Sequence, residues 1–142
     1  MGESVEELKA LLYRITEEIW DNGRIELIDE LISEDFIDNI DIPGVEGSGR
    51  ETYRASVIEM RTAFPDYRNP IDFVVAEGDI VATFGRVTGT HRGELYGIPP
   101  TGRQIDMPTV GALRFRDGRA VERWGTGDNL LMMQQLGLIP TS

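Results

Sequence analysis

The strongest constraint in this chain is a change of period at Pro65. Before it, apolar residues recur three and four apart; after it, they alternate. Val5, Leu8, Leu12, Ile15 and Ile19 share one helical face, and Glu6, Glu7, Lys9, Arg14, Glu17 and Glu18 fill most of the other. This predicts an amphipathic helix over residues 3–21, ended by Asn22-Gly23, both tolerant of left-handed backbone. A shorter helix places Ile25, Ile28, Leu31 and Ile32 on one face. Residues 35–42 read as a short strand or extended loop. A third helix spans 50–64, with Tyr53, Val57, Met60 and Phe64 as its inner stripe. Strands follow over 71–76, 80–91, 104–115 and 119–124. Glu77-Gly78-Asp79 and Asp117-Gly118 are tight turns, and residues 129–136 form a closing helix stopped by Gly137. Helices first and an antiparallel meander second argue for an α+β fold, with helices on one face of a bent sheet. No repeat or boundary interrupts it, so residues 1–142 read as one domain.

Charge excludes several partners. The net charge is -11 at pH 7, which repels phosphate backbones and anionic lipid, and no basic cluster offsets it. The chain therefore predicts no nucleic-acid and no membrane partner. There is no cysteine, which removes disulfides and thiolate chemistry. No run approaches the ~20 apolar residues of a membrane helix. The first ten residues carry Glu3, Glu6 and Glu7 and no apolar run, unlike a signal peptide, so a cytoplasmic location is expected.

The run T-H-R-G-E-L-Y-G-I-P-P-T-G-R over residues 90–103 resembles the signature loop of the SnoaL-like polyketide cyclases. The ending, D-G-R-A-V-E-R-W-G-T-G-D over 117–128 and Q-Q-L-G-L-I-P over 134–140, and the W-D-N-G at 20–23, extend the similarity along nearly the whole chain. The resemblance implies the nuclear transport factor 2-like (cystatin-like) fold: a cone-shaped α+β barrel in which three N-terminal helices pack on a curved antiparallel sheet around an apolar interior. It implies tailoring of aromatic polyketides in secondary metabolism, as in antibiotic biosynthesis, without metal or organic cofactor. In the aldol-closing branch an Asp near the end of the last strand removes a proton and a His on the preceding strand assists. Aligned through the family motifs, those positions are Gly125 and Gly111 here, and neither moves a proton. The W-G-x-x-D spelling at 124–128 looks more like the family's hydroxylases and ester cyclases.

A general base in an apolar pocket and a donor for the developing oxyanion are therefore sought elsewhere. Asp38, between Ile37 and Ile40, is the first candidate; by resemblance it faces the pocket, and otherwise it is a solvated turn carboxylate. Asp128 is the second, placed by resemblance near the pocket mouth; as the residue before Asn129-Leu130-Leu131 it is equally a helix N-cap. His91, the single histidine, either orients substrate or fixes its loop. One histidine makes a multi-His metal site impossible, and residues 38–44 do not match an EF-hand loop. Trp20, Tyr53, Ser56, Met60, Thr109 and Trp124 are candidate pocket lining or ordinary core. Gly111 and Gly125 either leave room for a flat ring or mark bulges. If Arg123 and Gly125 face inward, Glu122 faces out; Asp106 faces out by the same alternation.

Three classes of function remain. The first is acid/base tailoring of a hydrophobic, ring-shaped small molecule by Asp38 with Asp128 or His91, as cyclisation or hydroxylation. The second is a non-catalytic ligand-binding module. The third is an epoxide hydrolase or isomerase, in which Arg123 bridges Asp38 and Asp128. A homodimer through the uncovered sheet face is expected.

Overall fold

The computed structural model describes residues 3–41 and 43–141; Ile42, the last residue of the predicted extended segment, lies outside them. Helix α1 (Val5–Arg14) starts at Ser4, whose hydroxyl accepts the Glu7 N–H, and carries Glu6 and Glu7 in its first turn, where the helix dipole favours them. The rod continues as a π-helical stretch, Ile15–Asp21, and stops at Gly23 with φ 72. A 3₁₀ turn (Ile25–Leu27) leads into the short α2 (Ile28–Leu31).

Strand β1 (Ile32–Asp38) begins three residues earlier than the sequence suggests. Ile32 belongs to the strand because it pairs with Ala120, a contact 88 positions away that no local pattern encodes. Helix α3 (Arg50–Ala63) buries Tyr53, Ser56 and Val57. Then come β2 (Ile71–Glu77), β3 (Ile80–Thr90), β4 (Gln104–Arg116), β5 (Arg119–Gly127) and α4 (Asn129–Gln135).

The five strands lie in the order β1-β5-β4-β3-β2. The last four strands of the chain pair antiparallel, as the meander predicts, but β1 runs parallel to β5. The expected antiparallel sheet is therefore mixed, because β1 is reached through helices rather than a hairpin. It is curled and not a closed barrel: β1 and β2 end the order as unpaired edges. Bulges at Ile71/Phe73 and at Arg114/Phe115 add local bend. Helices α1 and α3 and the π-helical stretch cover one face.

Two apolar clusters fill the space beneath them. One gathers Leu8, Leu12, Phe36, Tyr53, Val57 and Phe115; the other gathers Phe64, Tyr67, Val87, Ile105, Met107 and Leu136. Trp20 packs against both, and Met60 against the second.

Candidate functional site

Register places the site. Cross-strand neighbours on the covered face form rows: Val81–Leu113–Arg123, then Thr83–Gly111–Gly125, then Gly85–Thr109–Gly127, then Val87–Met107. The outer rows are bulky; the middle two are only glycine and threonine. This is a shallow floor between two walls. Thr83, Thr109, Gly111 and Gly125 face the helices yet keep partial solvent contact. A Cβ on Gly111 would make only ordinary contacts, with Trp124 O at 3.4 Å and Thr83 Oγ1 at 3.8 Å, so nothing crowds a side chain out of that position. At Gly125 the tip of Ile40 stands 3.3 Å from where a Cβ would be, so Ile40 occupies the place beside it. Gly111 is thus the uncrowded glycine of the floor, Gly125 is covered by Ile40, and neither is a bulge position.

Asp38 and Arg123 meet at the edge of this floor. Arg123 donates from Nε to Asp38 Oδ1 at 3.1 Å and from Nη2 to Asp38 Oδ2 at 2.5 Å. The side chains are 2% (Asp38) and 10% (Arg123) exposed. Asp38 Oδ1 also accepts the Ile40 N–H at 3.1 Å, a local turn that fixes the carboxylate. Register explains the meeting: Asp38 is the Cα partner of Arg123 on the parallel strand. Arg123 Nη2 reaches Ser56 Oγ at 3.3 Å, and the guanidinium lies 4.7 Å over the Tyr53 ring, a favourable cation–π geometry. Tyr53 Oη accepts the Trp20 indole N–H at 2.7 Å. Burial pushes the Tyr53 phenol pKa up, opposed by Arg123 and by Trp20, so it is neutral at ordinary pH.

One donor of this network is unspent. Among the described residues nothing accepts from Arg123 Nη1. The one buried side-chain polar atom without a partner is His91 Nε2, so Nη1 keeps contact with solvent. A fixed guanidinium with a free N–H edge is a ready binder for a carbonyl, enolate or carboxylate oxygen. A cleft of about 270 Å³ opens on the Asp38 side of the pair, lined by Asp38, Ile40, Asp41, Val45, Glu46 and Thr52 among others. A larger groove of about 620 Å³ lies on the opposite sheet face, where Arg114, Arg116 and Arg119 alternate with Asp35, Asp117 and Glu122. Its mixed charges suit ion pairing among themselves more than an apolar ring.

The other sequence candidates fall as follows. Trp20, Tyr53, Ser56, Met60, Thr109, Gly111 and Gly125 all border the floor or the network above it. Trp124 does not. It pairs with Ala112, sits between inward Arg123 and Gly125, and receives the Arg114 guanidinium at 5.5 Å on the outer face; strand alternation carries it away from the hollow. Glu122 and Asp106 face outward as predicted, bonded to Arg114 and Arg86. Asp128 caps α4, accepting the Leu131 N–H at 3.0 Å, and is exposed; it does not join Asp38 and Arg123, so the bridged pair of carboxylates is not formed. His91 is fully buried against Phe64, and its Nδ1 accepts the Thr101 N–H at 3.2 Å. It fixes the 90–103 loop and is not brought to Asp38. No three His, Asp or Glu side chains converge among the described residues.

Sequence reasoning reached Arg123 only as a bridge, although an inward arginine on the last strand already demanded a buried anion. It missed Thr83, which completes the floor, and Glu59 and Tyr96, described below. Thr83 shares the face of Gly85 and Val87, and that parity was available.

Comparison with known proteins agrees with this architecture. The profile of the SnoaL-like polyketide cyclases matches residues 10–136. IdmH of Streptomyces antibioticus, described as a candidate polyketide cyclase, is 33% identical over 92% of this chain and 98% of its own, with a TM-score of 0.77. AclR of Streptomyces galilaeus, described as a candidate hydroxylase, is 30% identical over 98% of this chain and 86% of its own, with a TM-score of 0.83. TsrD of Streptomyces laurentii superimposes with a TM-score of 0.85 over 96% of this chain and 99% of its own at 23% identity, a likeness of fold. Comparison with curated proteins gives no match.

Proposed function

The chain belongs to the SnoaL-like polyketide cyclase family, and on that premise we propose that it is a tailoring enzyme for a flat, ring-shaped molecule of the aromatic polyketide class. The ring lies on the glycine–threonine floor, and a carbonyl oxygen of the substrate meets Arg123 Nη1. The observation that carries the reading is that unspent N–H edge, held by a nearly buried carboxylate in the row next to the uncrowded Gly111. Asp38 takes a proton from the carbon next to the carbonyl. The electron pair moves onto the oxygen, where the guanidinium meets the new negative charge in a site of low dielectric. Three donors fix the Asp38 carboxylate in place, and the carbon in this scheme is one flanked by two carbonyls. The enolate carbon then attacks a second carbonyl of the same molecule, and the proton returns to the new alkoxide. No step in this scheme calls on a metal or coenzyme.

The test is hydrogen–deuterium exchange at the carbon between two carbonyls of a bicyclic aromatic β-keto ester, followed by NMR. The wild-type chain should accelerate exchange at least ~100-fold over buffer, and Asp38→Asn and Arg123→Gln should abolish the acceleration. A wild-type rate equal to buffer would remove the acid/base reading and leave a binding module. Oxygen consumption would move it to hydroxylation.

The reading includes a homodimer through the uncovered sheet face. Phe73, Phe84 and Val110 form one apolar cross-strand row there, and Val75, Ala82, Ala112 and Trp124 a second. Phe73 and Val75 are 54% and 52% exposed. Arg86–Asp106 balances the rim at one end, and at the other Arg114 offsets one of the two charges of Asp79 and Glu122, which reduces like-charge repulsion between two copies of an acidic chain. Sedimentation should give a dimer at micromolar concentration; a monomer at that concentration would refute it.

A further inference from the structure

Two non-glycine residues in the described chain have positive φ, Asp117 at 52 and Tyr96 at 45. Each is followed by a glycine in a two-residue turn. Asp117 is an ordinary occupant, because a short polar side chain tolerates this backbone. Tyr96 is not: a bulky side chain at positive φ is an outlier, and such strain persists only where the surroundings impose it. The turn itself, closed by reciprocal Leu95–Ile98 bonds of 3.0 and 2.8 Å, needs no aromatic ring.

Its surroundings are specific. The stem is clamped to the end of α3: the N–H groups of Arg92 and Gly93 both donate to Ala63 O, at 3.0 and 3.1 Å. Gly93 comes so close that a Cβ would stand 2.1 Å from Thr62 O, so no other residue fits. Leu95 is buried in the second core cluster. The tip is held by one bond, from the Tyr96 N–H to Glu59 Oε1 at 2.6 Å. Glu59 lies on α3 beside Met60 and less than one turn from Ser56, at the border of the hollow. Burial first, then Glu59, push the phenol pKa up and Arg123 opposes them, so it stays a donor at neutral pH.

We propose that Tyr96 is a substrate-positioning residue of the hollow: the strained Tyr96-Gly97 turn, pinned by Glu59, holds the phenol across the Arg123 end, where it stacks on a bound ring and donates its O–H to a ring oxygen. This rests on the reading that the hollow takes a flat aromatic molecule. Tyr96 remains 40% exposed, so part of it is open to such a contact.

The test is titration with 1,8-dihydroxyanthraquinone, followed by its absorbance, for the wild type and for Tyr96→Phe, Tyr96→Gly, Glu59→Ala and Arg123→Gln. Tyr96→Gly should bind at least ~10-fold more weakly while its melting temperature holds or rises, since glycine relieves the backbone. Tyr96→Phe keeps the stacking face and should lose about threefold. Glu59→Ala should fall between them. Wild-type affinity in Tyr96→Gly, with binding lost in Arg123→Gln, would overturn the role of Tyr96 and leave the hollow intact. Failure of the wild type to bind would end both. A second readout needs no ligand. In a Trp124→Phe background, acrylamide quenching of Trp20 should rise in Tyr96→Gly, and an unchanged quenching constant would overturn the covering role.

Discussion

The two faces of the sheet invert the usual distribution of side chains. Beneath the helices, where a core would ordinarily be bulky, the middle rows carry only Thr83, Gly85, Thr109, Gly111, Gly125 and Gly127. On the face without helices stand Phe73, Val75, Phe84, Val110 and Trp124. Charge is inverted as well. The covered face holds one enclosed ion pair, Asp38–Arg123, while the uncovered face holds the half-exposed group of Arg114, Asp79 and Glu122. In the proposed function the covered face admits a ligand by leaving side chains out and by anchoring one polar group, and the uncovered face meets a second copy through its apolar bulk with charges at the rim.

The sharpest way to break this contrast is to remove one partner from each ion pair. Asp38→Ala leaves the nearly buried Arg123 charge without its partner and should cost about 3–5 kcal/mol, read as a shift in the urea midpoint. Arg114→Ala on the other face should cost under ~1 kcal/mol, because solvent already screens that group. Equal costs would refute the assignment of faces.

Adjacent positions on β4 give the second comparison. Gly111→Leu fills the floor and should lower affinity for 1,8-dihydroxyanthraquinone at least ~100-fold, because the ring loses its space. Ala112→Leu, one residue on and facing out, should leave that affinity unchanged. Phe84→Glu completes the set: it should dissociate the dimer in sedimentation and leave ring binding in place.

Asp128→Ala should cost ~1 kcal/mol through loss of the α4 cap and leave deuterium exchange at the wild-type rate. A large loss of exchange would return Asp128 to the site.

The smallest effect belongs to neither face. Asp66 accepts the Thr90 N–H at 2.6 Å and the Thr90 hydroxyl at 2.8 Å, and these bonds, the backbone one first, hold its carboxyl below the usual range. A depressed carboxylate contributes stability that is complete above its unfolded value near ~3.9 and is lost as pH falls through the folded value. The melting temperature of the wild type should therefore drop more steeply below pH 5 than that of Asp66→Asn.

Much of this was legible in order and parity. The switch at Pro65 announced helices over a meander, and Asp117-Gly118 announced the last hairpin. Alternation sent Glu122 outward if Arg123 and Gly125 face inward, and the strand register meets that condition. The same alternation sends Trp124 outward; its size argued for burial, and the strand period prevailed. What stayed hidden is non-local. Ile28, Leu31 and Ile32 suit a helix face as well as a strand start, and only the pairing of Ile32 with Ala120 decides. The parallel β1–β5 register, which delivers Asp38 to Arg123, has no signature in either strand. The π-helical stretch that contains Trp20 and the Glu59 bond to Tyr96 likewise have no signature in the local pattern.

The most direct measurement is calorimetric titration of 1,8-dihydroxyanthraquinone into the wild type and Gly111→Leu, with melting temperatures taken on the same samples. One ring bound per wild-type chain, and none by an equally stable Gly111→Leu, is the expected result. Equal binding by both chains would mean that the glycine–threonine floor is not where a ligand lies.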